Sequence, residues 1–253
     1  MASFCYLLLL FTAKSGFSAK IAGFAAVSSG SHYFVIRNAM QELASRGHEA
    51  VVVVSSDRPA KPNDKIPHKT FQVPYKPGFI EDKLIRPALE ENKYTIGWNM
   101  HNIQLVMCEC LLNSSKLLQE LKSFDLIVFD SIAPCGVLIS EILNIPSVII
   151  VIGPPNYALS IYHMVPMPVS YIPQRETGFT SKMTFIQRVI NLGMYSVAKV
   201  LLDLLFVRSM DALKVKFNIK PERSFKESFG DAELVIFLAD FALEYPQPLL
   251  PGW

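Results

Sequence analysis

No apolar run in this chain of 253 residues approaches the roughly 18–20 residues that cross a bilayer. The longest uninterrupted one, Phe4 to Phe11, is far shorter, and the stretch from Met194 to Val207 is broken by Lys199 and Asp203. The expectation is therefore that no transmembrane helix is encoded. Basic charge is also scarce: 24 Lys and Arg against 22 Asp and Glu leave a net +2, which argues against a broad nucleic-acid surface. Internal repeats and low-complexity segments are absent. Cysteine is rare. Cys108, Cys110 and Cys135 form an odd set without metal-ligand spacing, and Cys5 lies in the first apolar run. Adjacent-but-one helical positions point about 200° apart, so Cys108 and Cys110 are poor partners, and core packing is the expected role of all three. Four catalytic or phosphate-binding signatures are missing as well. There is no G-x-G-x-x-G, no P-loop lysine motif, no H-E-x-x-H and no G-x-S-x-G elbow.

What is present is oiliness: 51% of residues are hydrophobic and 18% charged. Part of it has a local source. Phe4 to Phe11 followed by small residues, with Gly16 and Ser18 before Ala19, reads as a secretory signal peptide over residues 1–18, although no Lys or Arg precedes the apolar core. The alternative is a buried first strand or helix. A leader places the remaining 19–253 in the secretory pathway, where Asn113-Ser114-Ser115 becomes a candidate glycosylation acceptor at Asn113.

The rest of the oiliness is patterned. Lys20 to Val27, Val51 to Val54, Leu126 to Phe129, Ser147 to Ile152 and Leu234 to Leu238 are continuous apolar runs, the mark of strands covered on both faces of a parallel sheet. Helical patterns fall between them. Ile36, Met40 and Leu43 share a face that stops at Arg46-Gly47. Ile103, Val106, Cys110, Leu117 and Leu121 mark one long helix, and Cys135 to Leu143 a third that ends at Asn144 and Pro146. Strand and helix in alternation predict a doubly wound, mostly parallel Rossmann-like α/β sheet. The proline-rich stretches 57–98 and 153–180 are expected to be loops of the kind that bind ligands.

Ligands of open α/β sheets bind beyond the carboxyl ends of the strands. The turn Ser28-Ser29-Gly30-Ser31 delivers His32 to that edge, and the LIVF strand delivers Asp130. A histidine can take a proton from a substrate hydroxyl near neutral pH, and a carboxylate on its other nitrogen fixes the tautomer. On spacing alone, a helix-capping histidine and a strand-end aspartate remain the plainer reading. Gly30 and Ser31 could offer backbone N–H groups to an anion at the helix amino end. Tyr33, Phe34 and Trp98 are candidates for an apolar acceptor pocket, and equally for ordinary core. His48, His68, His101 and His163 have no acid partner evident in sequence.

Gly30-Ser31-His32-Tyr33, Leu43-Ala44-Ser45-Arg46-Gly47-His48-Glu49, Phe124 to Asp130, Pro168-Val169-Ser170-Tyr171-Ile172-Pro173, Gly178-Phe179-Thr180 and Asp240-Phe241-Ala242-Leu243-Glu244-Tyr245-Pro246 occur in one order. In that order they resemble the amino-terminal half of the animal UDP-glycosyltransferases, the family of the UDP-glucuronosyltransferases. The resemblance implies a GT-B fold of two Rossmann-like domains, the first binding the acceptor and the second the UDP-sugar. It implies His32 as general base on a hydroxyl of a small lipophilic acceptor and Asp130 as its orienting partner. It further implies inversion at the anomeric carbon, no metal, no cofactor beyond the co-substrate UDP-glucuronate or UDP-glucose, and an endoplasmic reticulum location. The family's Trp-x-Pro-Gln signature and its donor contacts are not found before Trp253. The chain is thus expected to be a fragment or truncated form, lacking the carboxy-terminal donor domain and inactive alone. A different class of function stays open: a non-catalytic lumenal or secreted short form that binds lipophilic ligands, or pairs with itself or with full-length enzyme.

Overall fold

A computed structural model describes residues 18–25, 30–57, 65–86, 93–153, 162–163, 165–175 and 177–249. The leader expected over 1–18 lies almost wholly outside the described residues, as do Val27, Ser28 and Ser29. Six parallel strands form one sheet in the order β3-β2-β1-β4-β5-β6: β1 (Lys20–Phe24), β2 (Glu49–Ser55), β3 (His68–Phe71), β4 (Leu126–Asp130), β5 (Ser147–Val151) and β6 (Leu234–Phe237). This is the order of a doubly wound dinucleotide-type sheet, so the expected Rossmann-like fold class is observed.

Both faces of the central strands are apolar because successive side chains alternate between two cores. Val51, Val53, Ile127, Phe129, Ile149 and Val151 point one way, while Ala50, Val52, Val54, Val128 and Ile150 point the other. Helix α1 (Gly30–Ser45) covers the second face with Ile36 and Met40 and ends through Gly47, whose φ of 95° is natural only to glycine. The first face carries α2 (Lys93–Leu112), α3 (Ser115–Leu121), α4 (Cys135–Leu143), α6 (Arg208–Lys216) and α7 (Phe225–Gly230). Asn144, at φ 54°, closes α4 in the left-handed conformation, where the sequence pattern ends the helix.

The α4 contact with the sheet leaves no room for a side chain at Gly136. A Cβ there would stand 2.3 Å from Cγ and 2.5 Å from Cβ of Phe129, itself fully buried in β4. Gly136→Ala should therefore destabilise the fold by about 1–3 kcal/mol, measured as a lower urea midpoint. An unchanged midpoint would mean that α4 can slide away from the sheet at no cost.

Four expectations are corrected here. His68–Phe71 is a paired strand and not proline-rich loop: β2 supplies a complete parallel ladder through Val52 to Ser55, which compensates for a strand with one fully buried residue. The long helix ahead of β4 is broken at Asn113–Ser114 into α2 and α3, and its buried stripe runs through Ile103, Met107, Cys108 and Leu111, with Val106 exposed. Cys108 and Cys135 are disulfide-bonded across a separation of 27 residues, so only Cys110 is a free thiol among the described residues.

The fourth concerns residues 185–216. Helix α5 (Phe185–Leu201) continues through a π-helical segment (Leu202–Val207) into α6, making 32 helical residues long and apolar enough to span a bilayer by length and composition. Lys199 and Asp203 do not interrupt it. Phe185, Ile186, Val189, Val197 and Val200 are all more than half exposed. A capping box at Thr184 and Gln187 starts it. Asn191 anchors its otherwise exposed first half, donating from Nδ2 to the carbonyls of Val169 and Ile172 and accepting from the Gln174 N–H.

Candidate active site

The topology dictates which side chains can meet at the carboxyl edge. β4 is hydrogen-bonded beside β1, and α1 follows β1, so the start of α1 stands over the end of β4. Within β4, Asp130 follows Phe129 by one residue and so points to the face that α1 covers. His32, in the first turn of α1, completes the pair: its Nδ1 lies 2.5 Å from Asp130 Oδ2 although 98 positions separate the two residues. The Asp130 side chain is fully buried, whereas that of His32 keeps 30% exposure. The other carboxylate oxygen, Oδ1, accepts from the Ile132 N–H at 3.2 Å, an Asx-type turn that holds the carboxylate still.

Chemically, a carboxylate cannot donate, so the Nδ1 proton belongs to the histidine and Nε2 is left as the lone-pair nitrogen. A buried anion bonded to one imidazole nitrogen also stabilises the cation that forms when the other nitrogen takes a proton.

The remaining candidates are placed as follows. Gly30 opens α1 at φ 75°, the left-handed region, and with Ser31 it is exposed at the helix start. Tyr33 is buried beneath the sheet, its hydroxyl 3.0 Å from His68 Nε2. Phe34 and Trp98 are on the surface. Asn113 is exposed at the α2–α3 junction, its side-chain amide donating to the Glu109 carbonyl at 3.0 Å. Other histidines are engaged elsewhere. His48 Nδ1 accepts from the Ala19 N–H, and His101 pairs with Ser209 and is held below the usual imidazole range by burial. Burial lowers His163 further, to about 4.

An apolar recess on the sheet face opposite α1 has walls that the sequence patterns do not single out. It is small, about 40 Å³, and lies between the ends of β1, β2 and β3, helix α2 and the start of α4. Phe24, Val53, Phe71, Met107 and Leu111 supply hydrocarbon, and the Cys108–Cys135 disulfide joins the two helical walls. Gln104 is its one polar side chain, and its Nε2 donates to the Ile132 carbonyl. The available signal for Gln104 was a polar residue set in the buried stripe of α2, at four and seven positions from Cys108 and Leu111.

The family model for UDP-glucoronosyl and UDP-glucosyl transferase matches residues 24–253. The chain belongs to this family. Among relatives of the UDP-glycosyltransferase chain, UDP-glucuronosyltransferase 1A5 of Rattus norvegicus is 32% identical over 237 residues, covering 88% of this chain and 44% of that protein. The 2-hydroxyacylsphingosine 1-beta-galactosyltransferase of Mus musculus is 24% identical over 262 residues, covering 98% of this chain and 46% of its own. The chain thus spans about half the length of these relatives. Among solved structures, the glycotransferase of kitacinnamycin superposes with a TM-score of 0.53 over 90% of this chain and 48% of its own, at 15% identity, and so shares the fold.

Proposed function

We propose that this UDP-glycosyltransferase chain is the acceptor-binding half of an inverting enzyme that moves a sugar from a UDP-sugar to a hydroxyl of a small lipophilic molecule. The observation that carries the reading is the 2.5 Å contact between His32 Nδ1 and the buried Asp130 carboxylate, with His32 partly open to the edge where ligands of such sheets bind. In this mechanism Nε2 of His32 removes the acceptor's hydroxyl proton. The oxygen then attacks the anomeric carbon from the face opposite the nucleotide, the bond to the UDP oxygen breaks, and the configuration inverts. UDP departs with the bonding pair. Gly30 and Ser31, at the amino end of α1, are assigned to the edge facing the phosphates, because free N–H groups at a helix start favour anions. The donor itself, UDP-glucuronate or UDP-glucose, is assigned to the further half that the relatives possess.

The compartment we assign is the lumen of the secretory pathway, specifically the endoplasmic reticulum. The Cys108–Cys135 disulfide supports it, since such bonds persist in oxidising compartments. Asn113, exposed, is accessible there to glycosylation.

The test is His32→Ala in the protein joined to a donor-binding half. Transfer should fall by roughly a hundred- to ten-thousand-fold while acceptor affinity is retained. Turnover near that of the parent would remove His32 from the mechanism. A second reading is a ligand-binding protein without transfer, supported by the hydrocarbon lining of the recess between α2, α4 and the sheet. Under that reading His32→Ala changes no measurable turnover, because none exists.

A further inference from the structure

The longest run of exposed apolar side chains among the described residues follows α5 into the π-helical segment after it. Ile186, Val189, Ile190, Val197, Leu201 and Leu204 recur at helical spacing, which gathers them into an arc of about 120° on one side of the helix. Each is at least 45% exposed. The opposite side holds the domain: Asn191 is fully buried, and Leu202 and Phe206 pack against the core. An apolar face of this extent on a water-soluble surface marks a contact with something else.

Its margins are basic. Arg188 and Lys199 stand about three turns apart and so share one flank, Lys182 precedes the helix, and Arg208 follows the exposed part. All four are exposed, and the half-buried Asp203 is the one acid between 182 and 208. Between Ile186 and Leu204 the arc carries aliphatic side chains and Gly193 alone, with no side-chain donor or acceptor. A protein partner fits such a face poorly, because protein interfaces draw on aromatic residues and about one hydrogen bond per 100–200 Å². Hydrocarbon edged by cations fits acyl chains under anionic headgroups.

We propose that this face lies in the plane of an anionic lipid surface, its aliphatic side chains in the acyl boundary and Arg188 and Lys199 among the headgroups. The helix is long enough to cross a bilayer, but two contacts hold it flat. Asn191 is bonded to the backbone of Val169, Ile172 and Gln174, so a crossing helix would drag that loop into hydrocarbon, where its backbone groups find no partners. Downstream, Met210 and Lys214 are at most 1% exposed in the core, and a crossing would pull them out of it.

Co-sedimentation of the intact chain with phospholipid vesicles tests this. Vesicles with about 30% phosphatidylserine should bind about tenfold more strongly than pure phosphatidylcholine. Ile190→Gln with Val197→Gln should lower the partition about tenfold on both, with circular dichroism unchanged because both side chains are exposed. Arg188→Gln with Lys199→Gln should remove most of the preference for phosphatidylserine while leaving the neutral partition in place. Val197→Trp adds a local probe, whose emission should be quenched by phosphatidylcholine brominated along its acyl chains, over and above the parent. No binding by the parent chain, a partition untouched by Ile190→Gln with Val197→Gln, or no added quenching at Val197→Trp would each overturn the proposal. So would a lipid-free dimer that Ile190→Gln with Val197→Gln dissociates, since the face would then belong to a second copy of the chain.

Discussion

Asp130→Asn should lower sugar transfer by about a thousand- to ten-thousand-fold, with the fold intact and acceptor binding little changed. The argument is one of tautomers. Asparagine has nearly the shape of aspartate and can still accept from the Ile132 N–H through its carbonyl oxygen. The atom facing His32 Nδ1 at 2.5 Å would become an NH₂ group, which donates. Two donors cannot share a hydrogen bond, so the imidazole is driven to carry its proton on Nε2, and that is the nitrogen required as base. A second loss adds to the first: the imidazolium formed on proton transfer would no longer face an anion in a fully buried position. The measurement is kcat against KM for the protein joined to a donor-binding half, with circular dichroism as the folding control. A drop confined to kcat supports orientation by Asp130. Turnover within tenfold of the parent would reduce Asp130 to a strand-end residue.

Lys214→Met should destabilise the domain by about 3–5 kcal/mol, the range for breaking a buried ion pair from one side. Lys214 is 1% exposed and Glu141 8%, and their charges meet at 2.7 Å. Ser228 Oγ donates to the other Glu141 oxygen at 2.8 Å and also bonds Lys214, so α4, α6 and α7 converge on one polar knot within the apolar layer. Removing the lysine leaves the buried Glu141 carboxylate with the Ser228 hydroxyl and only the longer 3.8 Å contact to the Arg223 guanidinium. The double variant Lys214→Met with Glu141→Leu removes both charges and should recover much of the loss. Urea unfolding of the three chains decides the matter. Equal stability of single and double variants would mean that the penalty comes from altered packing and not from the orphaned charge.

Legibility in the sequence followed burial. Five strands of the sheet were readable because their residues are apolar on both faces and carry no competing pattern. Strand β3 was not, since His68, Lys69 and Thr70 are only partly covered and prolines flank them. The dyad was readable because topology brings the end of β4 to the start of α1, and only His32 and Asp130 offered suitable groups there. The recess on the opposite sheet face was not. Gln104 and Ile132 act through hydrogen bonds that depend on the angle between α2 and the β4–α4 loop, and no local pattern encodes that angle. The helix from Phe185 to Lys216 was misjudged for a simpler reason: isolated charges interrupt an apolar run but not a helix, and Lys and Arg stems lie along apolar surface with their heads in water.

The disulfide in the recess wall has a consequence for biosynthesis. Cys108 and Cys110 are separated by one residue, and in a nascent, unstructured chain either thiol can reach Cys135. Only when α2 has coiled does Cys108 turn toward α4 and Cys110 away from it. Once folded, Cys110 is restrained chemically as well: burial, reinforced by the Glu109 carboxylate, holds its thiol above the usual value, so it is kept protonated and a weak nucleophile. Helix formation therefore acts as the proofreading step of oxidation. A chain oxidised before α2 forms can join Cys110 to Cys135 instead, so the order of coiling and cross-linking selects which bridge ties α2 to α4.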